Sequence, residues 1–209
     1  MLLIKIVSLN AVLYNLSKMK IGLFFGSFNP IHIGHMVLAN YLVEYTDLDK
    51  IWFVVSPQNP FKNKETLLDE KQRLYMVKLA IENDNRFKAS DIEFKLTQPS
   101  YTINTLVHLK EKFPKNEFAL IMGADNLETF HKWKNYETIL KNHDIYVYPR
   151  PNSTGGDLKD HPKVKITTAP LIEISSTAIR NAIKEKKDLR HFVPASVWEY
   201  LTEMHFYRK

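Results

Sequence analysis

Residues 26–35 read Gly-Ser-Phe-Asn-Pro-Ile-His-Ile-Gly-His and directly follow the apolar run at residues 21–25. An apolar strand that opens into a glycine-bearing loop and then a helix is typical of phosphate binding. The unpaired N–H groups at a helix start and the positive end of its dipole attract anions. His32 and His35 stand where this helix is expected to begin, so their rings can donate hydrogen bonds to a phosphate. The stretch predicts a nucleotide-handling protein built on an α/β sheet.

The rest of the chain repeats this alternation of strands and helices. Short apolar strands are predicted at residues 21–25, 51–56, 87–94, 118–122, 145–148 and 164–167. Helical patterns are predicted at residues 36–45, 70–83, 100–113, 176–184 and 195–204. The alternation predicts a single Rossmann-like α/β domain, whose doubly wound, mostly parallel sheet carries helices on both faces. Ligands of such sheets bind beyond the carboxyl ends of the strands, so the loops after the first, second and fourth strands should share one rim.

The helix predicted at residues 100–113 is expected to turn one side toward the sheet. Leu106 and Val107 belong to that side in the sequence pattern, and Pro114 ends the helix because proline cannot continue it. The pattern places Ile103, Leu106, Val107 and Lys110 along one side of this helix.

Composition limits the kinds of function that are open. The chain has 209 residues, of which 44% are hydrophobic and 25% charged, as in an ordinary globular domain. It has no cysteine, which excludes disulfides, thiolate metal sites and cysteine nucleophiles and suits a cytoplasmic location. The formal charge of +6 suits an anionic ligand. Because the basic residues around 184–190 are typical of a solvated helix end, no nucleic-acid partner is expected.

The first eighteen residues are predicted to lie outside the catalytic unit. They contain no continuous membrane-length apolar run and fit a signal peptide poorly, so no membrane partner is expected. The interpretation is an N-terminal extension at residues 1–18, followed by the functional domain at residues 19–209.

A second motif lies late in the chain, where residues 174–180 read Ile-Ser-Ser-Thr-Ala-Ile-Arg. Ser175 or Ser176 is suited to cap a helix, and Arg180 lies four residues after Ser176 on the same helix face. Hydroxyl groups, free N–H groups and a guanidinium can then converge on one anion. Alone, the pattern is typical of an ordinary helix start, but with the first motif it predicts a second phosphate clamp.

Together these two motifs resemble those of the HIGH-type nucleotidyltransferase superfamily. Three further matches resemble the bacterial nicotinate mononucleotide adenylyltransferases: residues 100–106, residues 123–127 followed by Trp133, and residues 147–150. The resemblance runs from about Lys20 to the C-terminus. It implies an enzyme that joins nicotinate mononucleotide to ATP, giving nicotinate adenine dinucleotide and pyrophosphate in NAD biosynthesis. It also implies that Mg²⁺ enters with ATP and that the protein itself has no metal site.

The resemblance also implies roles for individual residues. His32, His35 and Arg180 would be catalytic, with His35 nearest the reacting α-phosphate. The residues implied in ATP binding are Gly26, Ser27, Phe28, His32, Gly34, His35, Gly123, Asp125, Ser175, Ser176 and Arg180. The residues implied in mononucleotide binding are Lys62, Thr102, Asp125, Trp133 and Arg150. The family often has histidine before the lysine, whereas Phe61 stands there in this chain, which puts the role of the surrounding loop in doubt.

Several other functions are compatible with the same motifs. The acceptor could be nicotinamide mononucleotide or phosphopantetheine, and the oligomeric state is left open. A fragment of a class I aminoacyl-tRNA synthetase would share the sequence His-Ile-Gly-His, but the chain is short and has no Lys-Met-Ser-Lys-Ser loop. A non-catalytic nucleotide sensor with the same fold is the alternative from a different functional class.

Overall fold

A computed structural model describes residues 19–57 and 67–208 of the chain. Its centre is a parallel sheet of six strands in the order β3-β2-β1-β4-β5-β6. The strands are β1 (Lys20–Gly26), β2 (Lys50–Val55), β3 (Phe87–Ser90), β4 (Glu117–Gly123), β5 (Ile145–Tyr148) and β6 (Val164–Ile166). The strand order reverses direction between β1 and β4, which places a crevice at the carboxyl ends of these two strands.

Helices cover both faces of the sheet. Within the described residues they are α1 (Ile33–Tyr45), α2 (Glu70–Ala80), α3 (Thr102–Lys112), α4 (Ala124–Glu128), α5 (Tyr136–Asn142), α6 (Ser176–Lys184) and α7 (Ala195–Glu203). One apolar core joins Phe24 of β1 to α1, α2, α6 and α7, and the other joins Leu23 to α3, α4 and α5. Successive strand residues point to opposite faces, so the apolar run of β1 supplies both cores. The predicted doubly wound α/β fold is confirmed.

Three local predictions were wrong. The strand predicted at residues 87–94 ends at Ser90, and residues Ile92–Lys95 form a short 3₁₀ helix instead. Val107 is 52% exposed, because the buried side of α3 is formed by Ile103, Leu106 and Leu109. The first helix begins at Ile33, three residues before its predicted start.

The N-terminal extension predicted at residues 1–18 lies outside the described residues. Within the part of the chain that is described, no helix combines the length and apolar character needed to cross a bilayer.

Candidate active site

The loop after β1 is shaped by one buried aromatic ring. Phe28 is 2% exposed and has φ 45°, a left-handed backbone conformation that bulky residues rarely adopt. A Cβ atom at Gly26 would come within 2.8 Å of this ring, so glycine is required where the loop folds over it. The same ring meets His35 edge-on at 5.1 Å between centroids. The Phe28 ring therefore packs against both Gly26 and His35 and supports the loop between them.

The two histidine rings of the first motif lie against each other at the start of α1. Their centroids are 3.7 Å apart and their planes 27° apart. The backbone N–H of His32 donates a hydrogen bond to Nδ1 of His35 at 3.2 Å. Because Nδ1 acts as an acceptor, a neutral His35 ring carries its hydrogen on Nε2. This tautomer makes the outer nitrogen of His35 a hydrogen-bond donor.

His32 is the more deeply buried of the pair and is 6% exposed. Burial, with a smaller contribution from the positive charge of Arg150, lowers the pKa of His32 to about 4. Its Nδ1 atom is buried and makes no hydrogen bond within the described residues. At neutral pH the ring interacts as an uncharged group.

Gly34 lets the second motif approach the first. A Cβ atom there would lie 2.6 Å from Cγ2 of Ile172 and 3.0 Å from Nδ1 of His32. Any side chain would push apart the chain before α6 and the His32 ring. Glycine at this position is therefore a requirement of close packing.

Hydrogen bonds join the second motif to the loop after β1. Ser175 caps α6 by accepting from the backbone N–H of Ala178 at 3.2 Å. Ser176 Oγ donates to the carbonyl of Pro30 at 2.9 Å, and an N–H of Arg180 donates to the carbonyl of Asn29 at 2.8 Å. The two distant motifs thus meet at one place, as the sequence predicted.

A cleft of about 520 Å³ opens where they meet. Its lining includes, from the sequence-predicted set, Ser27, His32, Gly34, His35, Arg150, Ser175, Ser176 and Arg180. Among the described residues that line it there are two arginines and no carboxylate. Histidines, hydroxyl groups, the N-terminus of α6 and four aliphatic side chains also line it. The cleft is therefore suited to a polyanion.

The predicted residues after β4 lie beside this cleft. Gly123 ends β4 and pairs in register with Tyr148 of β5. Asp125 follows in the first turn of α4, and its carboxylate lies 3.8 Å from Nε of Arg150, which lines the cleft. A Cβ atom at Gly123 would be 2.7 Å from Cγ of Arg150, so glycine leaves room for this pair. Asp125 and Arg150 therefore lie next to each other at the edge of the cleft.

Thr102 and Trp133 are outside the lining of that cleft. Thr102 is the first residue of α3, and Trp133 packs against Phe130 with 5.1 Å between centroids. The ammonium of Lys134 lies 4.5 Å above the ring of Tyr101, which brings these two segments together. Lys62, predicted to contact the mononucleotide, and the preceding Phe61 lie outside the described residues.

Sequence reasoning missed several residues at or below the cleft, among them Asn29, Tyr148 and Arg73. Asn29 and Tyr148 line it, and burial raises the pKa of Tyr148 to about 12, so that phenol stays protonated. Arg73 is completely buried beneath the loops. An available signal was the position of Arg73 on the same helix side as Val77, where an apolar residue is expected.

We searched the described residues, 19–57 and 67–208, for clusters of side chains that could bind a metal ion. These residues contain no group of three or more histidine, aspartate or glutamate side chains placed to hold an ion.

Comparisons with known proteins agree with this architecture. A family model described as Cytidylyltransferase-like matches residues 23–182. A relative from Flavobacterium johnsoniae, named "Probable nicotinate-nucleotide adenylyltransferase", is 60% identical over 193 residues that cover 91% of this chain and 100% of the relative. A relative with the same name from Bacteroides thetaiotaomicron is 48% identical over 187 residues, covering 90% of this chain and 93% of the relative.

The fold is also that of a solved structure at low sequence identity. The structure described as "Plasmodium falciparum nicotinic acid mononucleotide adenylyltransferase complexed with NaAD" aligns with a TM-score of 0.75 and 20% identity. The alignment covers 91% of this chain and 98% of the other. From the family match and the relatives at 48% and 60% identity, the chain belongs to the cytidylyltransferase-like family, in the group of these nicotinate-nucleotide adenylyltransferases.

Proposed function

We propose that this chain transfers the adenylyl group of ATP to nicotinate mononucleotide, giving nicotinate adenine dinucleotide and pyrophosphate in NAD biosynthesis. The observation that carries the proposal is the meeting of His32 and His35 with Ser176 and Arg180 in a cleft whose described lining has no carboxylate. The names of relatives at 48% and 60% identity support the same reaction.

The reaction needs charge stabilisation more than proton transfer. The attacking group is a phosphate oxygen of the mononucleotide, which is mostly ionised at neutral pH because its second pKa is about 6. A bond forms between this oxygen and the α-phosphorus of ATP, and the bond to the bridging oxygen breaks as pyrophosphate leaves with the electron pair. No general base is required. The protein must bring two anions together and stabilise the charge that shifts to the leaving group.

His32 and His35 are suited to the α-phosphate. The outer nitrogen of His35 is a donor because its Nδ1 accepts from the backbone of His32. His32, whose pKa is about 4, takes part as a neutral hydrogen-bonding ring. The hydroxyl of Ser176 and the guanidinium of Arg180 then hold the β- and γ-phosphates at the start of α6.

Mg²⁺ is treated as part of the nucleotide substrate. When bound to the phosphates of ATP it offsets their charge while keeping several of its waters.

The mononucleotide is proposed to lie on the β4 side of the cleft. Asp125 would accept hydrogen bonds from ribose hydroxyls, with Arg150 holding its carboxylate in place. Thr102 and Trp133 would line the pyridine site, the indole stacking on the ring. A contact of Lys62 with the mononucleotide phosphate and a cytoplasmic location both stay predictions.

Pyrophosphate release from Mg-ATP in the presence of each candidate acceptor tests this function. Turnover with nicotinate mononucleotide, and slower or absent turnover with nicotinamide mononucleotide, supports the proposal. Activity only with phosphopantetheine would replace it, and binding of ATP without turnover on any acceptor would indicate a sensor. We also propose that residues 19–209 form the catalytic domain, so a chain that begins at Met19 should keep its full rate.

A further inference from the structure

Arg73 of α2 is a buried cation whose described partners are backbone carbonyls. Its exposure is 0%, and within residues 19–57 and 67–208 it forms no ion pair with a carboxylate. A buried arginine is ordinarily paired with an acidic group, because desolvating an isolated charge is costly. A stabilising arrangement must therefore come from hydrogen bonds, and the guanidinium has several.

These hydrogen bonds connect three separate segments. Nη1 of Arg73 donates to the carbonyls of Ser27 at 2.7 Å and Ser56 at 2.8 Å. Nη2 donates to the carbonyl of Pro57 at 2.7 Å, and Nε donates to the carbonyl of Leu68 at 2.9 Å. One planar group thus joins the loop after β1, the chain after β2 and the residues just before α2.

The guanidinium lies where the pairing of β1 with β2 stops. The last bond of this ladder runs from the backbone N–H of Ser56 to the carbonyl of Gly26 at 2.9 Å. Beyond it the two chains separate, and the carbonyls of Ser27 and Ser56 turn to Arg73. Without this donor, two part-buried carbonyl groups would lose the bonds that it now supplies.

A continuous chain of bonds leads from Arg73 to the cleft. Leu68 accepts from Arg73 through its carbonyl and donates through its backbone N–H to Oδ1 of Asn29 at 3.3 Å. The same oxygen accepts from the phenol of Tyr207 at 2.6 Å. The carbonyl of Asn29 in turn accepts from Arg180. A shift of the Arg73 side chain would therefore move the backbone that holds Arg180.

We propose that Arg73 is a positioning residue that fixes the spacing between the loop after β1 and the chain after β2. The inference rests on the proposed function, in which the first of these loops carries the two histidines that meet ATP. Arg73 does not line the cleft. It acts through the carbonyls of Ser27 and Leu68. The planar guanidinium has five N–H donors at fixed angles and can bond several separate carbonyls at once, which the single ammonium of lysine cannot do.

The test compares Arg73→Lys with Arg86→Met. Arg86 is an arginine at the opposite end of the sheet, where it pairs with Asp84 and Glu44. We expect Arg73→Lys to lower kcat at saturating substrates by about 10- to 100-fold, because small misplacements of reacting groups are costly. Arg86→Met should keep kcat within about twofold, since its contacts are remote from the cleft.

A spectroscopic readout separates positioning from simple loss of stability. In the native protein the imidazole nitrogen signals of His32 should not titrate between pH 5 and 8, whereas in Arg73→Lys the loosened, hydrated ring should begin to titrate there. Both measurements are made where circular dichroism shows a fully folded protein. If Arg73→Lys needs trimethylamine N-oxide to fold, kcat should stay low in the refolded protein.

Folded Arg73→Lys with normal kcat and an unchanged His32 titration would overturn the inference. Recovery of the normal rate in trimethylamine N-oxide would also overturn it, because it would leave only a stabilising role. If the native protein turns over no acceptor but the His32 titration still responds to Arg73→Lys, the proposed reaction fails while the positioning role survives.

Discussion

Acidification should destabilise this protein through one histidine of the cleft. Burial holds the pKa of His32 at about 4 in the folded chain, whereas its ordinary value is 6.5. Between these two values the unfolded chain binds a proton that the folded chain does not, so the free energy of unfolding falls as the pH is lowered. Above about pH 7 neither state binds the proton, and the contribution vanishes.

The magnitude follows from the size of the shift. A difference of about 2.5 pKa units corresponds to about 3 kcal/mol when the pH falls below both values. At about pH 5 the loss from His32 should reach about 2 kcal/mol, a large part of the stability of an ordinary domain. The nearby Arg150 charge acts in the same direction as burial, because it also disfavours the protonated ring.

Urea unfolding at about pH 7 and about pH 5 measures this effect against two variants. His32→Asn removes the titrating ring but keeps a residue that can cap α1, so this variant should lose about 2 kcal/mol less than the native chain on acidification. His131→Asn, at an exposed position, should lose as much as the native chain. Contributions from other titrating groups, including the partly buried His143, cancel in the comparison. Equal losses in the native chain and His32→Asn would refute a neutral, buried His32.

Three further substitutions test the cleft directly. His35→Ala should lower kcat by about 10²- to 10³-fold at a pH and temperature where the variant is folded, because it removes one preorganised donor; a near-normal rate would contradict that role. Gly34→Ala should impair ATP binding measured by calorimetry, since its new Cβ atom would displace Ile172 and His32; unchanged affinity would show that the loop can relax at no cost. Trp133→Ala should raise KM for the mononucleotide and leave that for ATP nearly unchanged, whereas equal weakening of both would indicate a structural role.

Much of the architecture could be predicted because the buried strands are nearly continuous apolar runs. The strand β5 has the predicted bounds, and β1 differs by one residue at each end. The prediction failed at β3, where apolar Ile92 and Phe94 continue the pattern after the strand has ended. These residues are held by packing in a 3₁₀ turn, and periodicity alone cannot distinguish that burial from a strand.

The helices α4 and α5 escaped prediction for a different reason. They have five and seven residues, which is too short for a helical repeat to stand out. The helix α5 also follows Asn135 in a left-handed conformation, a local geometry that depends on its surroundings. Both helices exist because the sheet and α3 cover their apolar sides.

The two phosphate motifs could be located in the sequence because their histidine, serine and arginine residues are types that bind phosphate. The supporting hydrogen bonds could not, because backbone carbonyls are the same in every residue. Arg73 shows the difference: the sequence places a charge on an apolar helix side, but only the structure shows that its partners are Ser27, Ser56, Pro57 and Leu68.

The carbonyl partner of Arg180 leaves the positive charge of this cleft residue uncompensated. At the amino end of the sheet, Arg86 pairs with Asp84 and Glu44, and these carboxylates compensate its charge. Near the cleft, Arg180 and Arg73 are oriented by backbone carbonyls, which are dipoles and carry no net charge. A carboxylate partner would orient a guanidinium equally well but would also repel an incoming triphosphate. Orientation by dipoles therefore allows the loops to be rigid while Arg180 remains available to an anionic ligand, whereas Arg150 keeps Asp125 as a carboxylate neighbour.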